Sequence, residues 1–334
     1  MSRIVVLGSG PWGTAIALSL HRRGGHQVTL WAHSPEVARA IEEAGENTLA
    51  LPGFPIPPEI AITGSDAVVA EADIIVSVVA SQFLRSTLGR IRPHLHLGQF
   101  VVSATKGVED RTFLRMTQVI SETLERAGIL LSIGAFSGPS FALEVAQGQP
   151  TAVTIAFSDP EIAALIQQEF SSESLRLYTS TDVIGVELGG ALKNVVAIAA
   201  GVAAGVGLGH NSAAALITRG IAEITRLAVA CGGRRDTLAG LSGVGDLVLT
   251  CTGSLSRNRS VGQALGQGRK LPEILASLDG VAEGVRTTRA ALGLARLHKI
   301  EMPITEQMEL ILDEGKDPRE AIRDLMLRPG KDER

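Results

Sequence analysis

Residues Ile4–Gly13 read IVVLGSGPWG, and no other stretch limits the fold as tightly. A β-branched run ends in a turn with glycines at positions 8, 10 and 13, and a helical pattern, Trp12–Arg23, opens at once. A second strand pattern, Gln27–Trp31, follows. G-x-G-x-x-G spacing alone is a weak signal, but between a strand and a helix each glycine has its own task. Gly8 permits the tight turn, Gly10 lets backbone approach a pyrophosphate, and Gly13 lets helix and strand pack closely. The first N–H groups of the helix then face the phosphates.

The pattern that starts here continues. Further apolar strands are expected at Ala61–Thr63, Asp73–Ala80, Phe100–Thr105, Ala152–Phe157 and Leu175–Ser180, with helices between several of them, including Arg111–Gly128 and one opened by Asp159 and Pro160. Continuous apolar strands alternating with helices indicate a mostly parallel sheet covered on both faces. Beyond Ser180 the strand signal stops, and helices are expected at Asp182–Val206, Ser212–Cys231, Pro272–Leu278, Gly284–His298, Ile304–Glu314 and Pro318–Leu327. This change implies two domains, 1–180 and 181–334.

Strand two ends Trp31-Ala32-His33-Ser34, without the Asp or Glu that usually reads the ribose hydroxyls of NAD. Nothing there repels a 2′-phosphate, and His33, together with Arg39, is a candidate contact for one. NADP and NAD both fit this reading. An exposed loop histidine with no ligand is the plain alternative for His33.

Between Val183 and Gly209 the chain is almost wholly Gly, Ala, Val, Leu and Ile, with only Glu187 and Lys193 charged. The apolar run after Asn194 is shorter than the ~20 residues of a membrane span, so a buried helix is expected. Gly189, Gly190, Ala197 and Ala200 share a broad helical face with Lys193. That bare face suggests an open cavity over the ammonium, which could then protonate a nascent alkoxide. Lysines more often lay their stems on apolar surface and reach for water. Three other motifs tip the balance toward chemistry. SATKGVE puts Lys106 at the carboxyl edge of the sheet, where ligands of open α/β folds bind. SGPSFA supplies Gly138, Ser140 and Ala142 with free N–H groups after a strand-like segment. GVGDLVLTCTGSLSRNR carries a glycine-bearing turn, a polar loop, and Ser256-Arg257-Asn258 before a helix, a set that suits a phosphate monoester.

Hydrophobic residues at 45%, charged residues at 20% and a formal net charge of −4 describe a globular chain without the basic surface a nucleic acid would require. Two cysteines, Cys231 and Cys251, fit a reducing cytoplasm, and the opening MSRIVVLG shows no signal-peptide pattern. His94 and His96 in HLHL lack a third ligand, so no metal is expected.

The stretches GSGPWGTA, SATKGVE, SGPSFA, ELGGALKNV, NSAAALITRG, GLSGVGDLVLTCTGSLSRNR and VAEGVRTT together resemble the soluble NAD(P)-dependent glycerol-3-phosphate dehydrogenases of bacterial type. The resemblance implies an α/β Rossmann-type N-terminal domain and an all-α C-terminal domain like that of 6-phosphogluconate dehydrogenase. It implies interconversion of sn-glycerol 3-phosphate and dihydroxyacetone phosphate by hydride transfer with NAD(P)H, supplying glycerophospholipid synthesis. Lys193 matches the proton donor and acceptor. Lys106, Gly138, Ser140, Asp246, Ser256, Arg257 and Asn258 match substrate-binding positions, with Asp246 a candidate to orient the lysine. Gly8, Gly10, Pro11, Trp12, Gly13, His33, Lys106, Ala142, Arg257, Val281 and Glu283 match cofactor-binding positions. A cytoplasmic homodimer with a small phosphorylated substrate is the implied setting. A related dehydrogenase of unphosphorylated hydroxy acids, or a non-enzymatic NADP sensor, are the competing readings.

Overall fold

The computed structural model describes residues 1–278, 280–330 and 332–333. The strands are β1 (Ser2–Leu7), β2 (His26–Trp31), β3 (Ala61–Thr63), β4 (Ile74–Ser77), β5 (Phe100–Ser103), β6 (Ser132–Ser137), β7 (Thr151–Ala156) and β8 (Leu175–Ser180). The helices among them are α1 (Pro11–Arg23), α2 (Pro35–Ala44), α3 (Leu84–Ile91), α4 (Met116–Glu125), α5 (Ala142–Ala146) and α6 (Pro160–Phe170). Then come α7 (Val183–Val206), α8 (His210–Ala230), α9 (Arg235–Leu238), a π-helical turn (Leu241–Gly245), α10 (Asp246–Thr252), α11 (Arg257–Gly266), α12 (Leu271–Ala276), α13 (Glu283–Leu297), α14 (Pro303–Asp313) and α15 (Pro318–Met326).

All eight strands form one sheet in the order β3-β2-β1-β4-β5-β6-β7-β8. Every pairing is parallel except β6 with β7. Successive side chains of a strand point to opposite faces, so a sheet covered on both sides needs apolar residues at every position. That is what the sequence supplies: Ile4, Val6, Ile74, Val76 and Val102 enter one core, while Val5, Leu7, Ile75 and Val101 enter the other. The direction of chain reverses in strand order between β1 and β4, which opens a crevice at the carboxyl edge beside Gly8.

Helix α7 is buried on all sides because separate clusters surround it. Leu188, Ala191, Leu192 and Val196 face one, and Val195, Ile198, Ala199 and Val202 face another. A helix apolar around its whole circumference needs such a setting. Among the described residues it is the one unbroken helix long and apolar enough to cross a membrane, and 83% of the relevant window lies inside the protein. Its glycines are contact points. A Cβ at Gly201 would lie 2.0 Å from the Arg259 carbonyl oxygen, and one at Gly205 would lie 2.2 Å from that of Gln263. On α11 the reverse holds: Gly262 faces the Ile198 carbonyl at 1.9 Å and Gly266 that of Val202 at 2.4 Å. Two Gly-x-x-x-Gly faces thus let α7 and α11 touch backbone to backbone.

The strands expected at Asp73–Ala80 and Phe100–Thr105 are shorter, ending at Ser77 and Ser103, and two further expectations shift. The helix expected over Arg111–Gly128 begins only at Met116, because Arg111 and Phe113 take left-handed φ values of 70° and 59°. The polar loop expected after Asp246 is the helix α10, which ends at Thr252.

Gly262→Ala should lower the free energy of unfolding by about 3 kcal/mol, the upper part of the overpacking range. Gly89→Ala, inside α3 with nothing within 4 Å of the new methyl group, should instead raise it by roughly 0.4–1 kcal/mol. Urea unfolding midpoints of the two variants measure the contrast.

Candidate active site

The three glycines of the first turn occupy different surroundings. At Gly8, φ is +120° and a Cβ would stand 2.9 Å from the Val78 carbonyl oxygen. At Gly13 it would stand 1.8 Å from the Gly8 carbonyl oxygen, so only glycine lets α1 start against β1. Around Gly10 nothing lies within 4 Å. The first two are demanded by the protein itself, and the third leaves open space beside a helix N-terminus. That arrangement fits a dinucleotide pyrophosphate. Pro11 opens α1 without an N–H of its own, leaving those of Trp12 and Gly13 as the first donors of the helix. The Trp12 ring turns inward and stacks on Phe136 at 6.1 Å.

The other strand ends on the same edge contribute in turn. His33 follows β2 and is exposed. Its carbonyl oxygen accepts from Arg90 at 3.2 Å, and the Arg90 guanidinium covers the Trp31 ring at 5.4 Å. After β4 comes Ser81, whose hydroxyl donates to Glu283 at 2.6 Å. Glu283 starts α13, is largely buried, and has its carboxyl pKa raised by that burial. After β5 comes Lys106, and after β6 Gly138 and Ser140. Ala142 opens α5 and packs against the sheet core.

Lys193 is brought to this edge by its own helix. A Cβ at Gly190 would sit 2.2 Å from the Ser137 hydroxyl, and one at Gly189 would sit 2.4 Å from the Ser242 carbonyl oxygen. Both glycines therefore let α7 press onto the end of β6 and onto the π-helical turn. The bare face expected to form an open cavity is instead closed by protein, and Lys193 is only 6% exposed. Its ammonium donates to Oδ1 of Asp246. Oδ2 of the same carboxylate accepts from Lys106 Nζ at 2.9 Å. Lys106 also donates to the Gly138 carbonyl at 3.3 Å, which accepts from the Ser140 hydroxyl at 2.9 Å. Asp246 is 0% exposed. One carboxylate thus joins two ammonium groups from different halves of the chain, leaving a net positive centre. Burial pushes the pKa of Lys193 down to about 7; Asp246 opposes the shift and Lys106 adds to it.

Next to this centre lies a polar layer. Asn258 Nδ2 donates to Asn194 Oδ1 at 3.0 Å, and Asn258 Oδ1 accepts from the Gly284 N–H at 3.0 Å. One N–H of the Asn258 amide remains for a ligand. Asn194 Nδ2 has no acceptor among the described residues. Ser256 caps α11, its hydroxyl accepting from Arg259 N at 3.2 Å. Arg257 is the first residue of that helix and donates to the Val281 carbonyl oxygen at 3.5 Å. So Lys106, Gly138, Ser140, Lys193 and Asp246 form one cluster. Ser256, Arg257, Asn258 and Val281 form its neighbour, and His33 lies apart beyond the glycine turn. Sequence reasoning missed Asn194, Thr250 and Arg90. Asn194 was legible as the polar residue directly after Lys193 in ELGGALKNV; Thr250, which donates to the Asp246 carbonyl at 2.6 Å, and Arg90 carried no local signal.

A family model described as the NAD-dependent glycerol-3-phosphate dehydrogenase N-terminus matches residues 3–163, and the corresponding C-terminus model matches residues 182–323. The chain belongs to the NAD-dependent glycerol-3-phosphate dehydrogenase family. It is 58% identical to a glycerol-3-phosphate dehydrogenase (NAD(P)+) of Acidobacterium capsulatum over 338 aligned residues, covering 100% of both chains. A relative of the same description in Koribacter versatilis is 56% identical, with 100% of this chain and 99% of that one covered. A crystal structure of glycerol-3-phosphate dehydrogenase from Coxiella burnetii superposes with a TM-score of 0.93 at 37% identity, covering 98% of this chain and 99% of that one. Among the described residues no group of three or more His, Cys, Asp or Glu is placed to hold a metal.

Gly10→Val should weaken NADPH binding by more than about tenfold, a loss of ~1.4 kcal/mol, while leaving the thermal midpoint near that of the parent. Gly13→Val should lower the thermal midpoint itself. Fluorescence titration with NADPH and a melting curve on each variant check the pair.

Proposed function

We propose that the chain interconverts sn-glycerol 3-phosphate and dihydroxyacetone phosphate, with Lys193 as proton donor and acceptor. The observation that carries this reading is the Lys193–Asp246–Lys106 cluster at the carboxyl edge of a dinucleotide-type sheet. Bound NADPH or NADH supplies the hydride. The protein has three tasks. It must hold a phosphate, place a ketone oxygen near an acid, and control that acid's proton.

Phosphate is read by Arg257, by the remaining amide N–H of Asn258 and by the open end of α11, a charge-assisted set. Ser256 helps by fixing the start of that helix. The ketone oxygen lies against Lys193, where an ammonium both stabilises developing negative charge and gives up a proton. Asp246 holds Lys193 in one rotamer by its hydrogen bond, and Lys106 contributes a second positive charge. Gly138 and Ser140 shape the wall on the β6 side. On the dinucleotide, the α1 N-terminus holds the pyrophosphate and His33 meets the adenosine end. Glu283, Val281 and Ala142 line the approach, Glu283 through its hold on Ser81. Residues 1–180 act as the dinucleotide-binding unit and residues 181–334 as the helical substrate unit; Arg334 itself is outside the described residues.

A cytoplasmic homodimer is part of the same reading. A groove of about 1660 Å³ runs along α8 and is lined by Ala215, Leu216, Ile221, Ile304, Ile311 and Leu325. Charged residues such as Arg219, Arg226 and Asp236 share the lining; its apolar part supports a second copy of the chain as occupant, and sedimentation equilibrium measures this directly. The product is the backbone precursor of glycerophospholipids.

With dihydroxyacetone phosphate, purified protein should consume NADPH, followed by its nicotinamide absorbance. Lys193→Ala should lower kcat by about 10²–10⁴-fold, the usual yield of a positioned acid, with NADPH affinity retained. Wild-type rate in that variant sinks the proton assignment. The pH dependence has a defined sign. Reduction needs charged Lys193, so kcat/KM for the ketone should fall as pH rises through about 7; oxidation needs the neutral amine and should rise over the same interval.

A further inference from the structure

The segment between β5 and α4 carries Lys106 close to its start, yet it leaves the sheet. Val108 is 0% exposed within the cluster formed by α7, α8 and α13, and Phe113 packs against the same cluster. Phe113 does so from a φ of 59°, with Arg111 at 70°; both lie in the left-handed region, which a bulky L residue occupies only when its surroundings enforce it. The enforcing feature is a notch on α13. At Gly293 a Cβ would lie 2.1 Å from one ring carbon of Phe113 and 2.3 Å from the next. Glycine in mid-helix is otherwise unfavourable, so the notch has a structural cost of its own.

The rest of the segment is tied at close intervals. Phe113 N donates to the Glu109 carbonyl at 3.0 Å, and Glu109 N donates to that of Leu114 at 3.0 Å. The Glu109 carboxylate accepts from Arg85 at 2.8 and 2.7 Å and from the Thr112 hydroxyl at 2.5 Å. At the far end Arg115 pairs with Glu187 of α7, which also accepts from Thr117 N at 2.8 Å and the Thr117 hydroxyl at 2.6 Å. Glu187 and Lys193 stand on the same helix. The loop is therefore pinned to the helical layer at Phe113 and at Arg115, and Lys106 is its near end.

We propose that Phe113, seated over Gly293, is a positioning residue that locks the β5–α4 segment to the helical layer and thereby sets Lys106 against Asp246 and beside Lys193. This rests on the catalytic reading of Lys193 given above. Phe113 touches neither of the two lysines; it acts through the short stretch 107–112. Simple packing glue would not require this route, because a core side chain can be supplied from α13 or α8 without left-handed backbone. The arrangement bridges sheet and helices at the loop that carries Lys106.

The groups facing Lys193 are Asp246 and Cys251 of α10 and Lys106 of this loop. Displacing Lys106 removes a neighbouring positive charge, so the acid limb of Lys193 should move to higher pH. Gly293→Ala, which pushes the ring from its notch, should lower kcat for dihydroxyacetone phosphate reduction by between about 10-fold and 100-fold, the scale of a small misplacement near the reacting groups. KM for NADPH should change by less than kcat does, since Lys106 is one of several cofactor contacts and the pyrophosphate turn is untouched, and the midpoint of the rate–pH curve should rise. Phe113→Ala should give the same split and the same pH displacement, and Phe113→Ala combined with Gly293→Ala should be no worse than either alone. If Gly293→Ala does not fold, Phe113→Leu, which keeps bulk but not the ring, and Glu187→Gln, at the other pin, carry the same expectation. Folded variants with parental kcat and an unmoved pH midpoint overturn the proposal. Lys193→Ala run alongside separates the two failures: if it is inactive while these variants behave as parent, the positioning role alone is lost.

Discussion

One buried carboxylate organises this molecule. Asp246 has no solvent exposure and binds two ammonium groups, one from a loop of the sheet and one from the central helix of the other half. Burying any of the three alone would be costly, since an unpaired charge in a low-dielectric interior is strongly disfavoured. While Lys193 is protonated they leave one net positive charge, a surplus that suits the phosphate ester and nascent alkoxide of the proposed reaction. The same burial that makes the cluster expensive in stability also brings the lysine's proton affinity toward neutrality, with Lys106 assisting. Stability and reactivity are here two consequences of one desolvation.

The cluster depends on backbone approach, which only glycine allows. Gly189 and Gly190 press α7 onto the π-helical turn and β6, and Gly201 and Gly205 press it onto α11. A conventional helix contact keeps axes 8–10 Å apart. Removing side chains at these positions shortens the approach so that Lys193, Asn194, Asn258 and Asp246 converge. Both charged residues of this apolar helix are now accounted for by the same rule. Lys193 is paired with Asp246, and Glu187, on another face, satisfies the first turn of α4 and Arg115.

Strands and the glycine turn were legible because their signals are local. Ala61–Thr63 and Leu175–Ser180 match their expected limits, and the tasks of Gly8, Gly10 and Gly13 correspond to three different steric environments. Lys193 was legible as an anomaly, a charge where burial was evident. What stayed hidden was non-local. The bare face beside Lys193 looked like room for a ligand because a sequence shows absent side chains and not the backbone that moves into their place. The late start of α4 was hidden because Arg111–Gly128 has good helical periodicity; Phe113 leaves it to fill a notch 180 residues further along the chain at Gly293. Likewise Asp159 was readable as the cap of its own helix, whereas Glu187 and Glu223 satisfy first turns of helices remote in sequence.

The adenosine end shows how such non-local contacts bear on selectivity. An acid at the end of β2 would have repelled a 2′-phosphate, and none is present. The nearest fixed cation, Arg90, lies over Trp31 and donates to the His33 carbonyl, but its guanidinium is also held by Asp66 through bonds of 3.0 and 2.9 Å. The pair is partly solvated, so its own contribution to stability is small. Its electrostatic effect is to neutralise the charge that would otherwise attract a phosphate. His33 remains exposed, and Arg39 is offset by Glu36 at 3.7 Å. A corner whose two acids, Asp66 and Glu36, are each paired with an arginine gives no charge-based reason to refuse either dinucleotide.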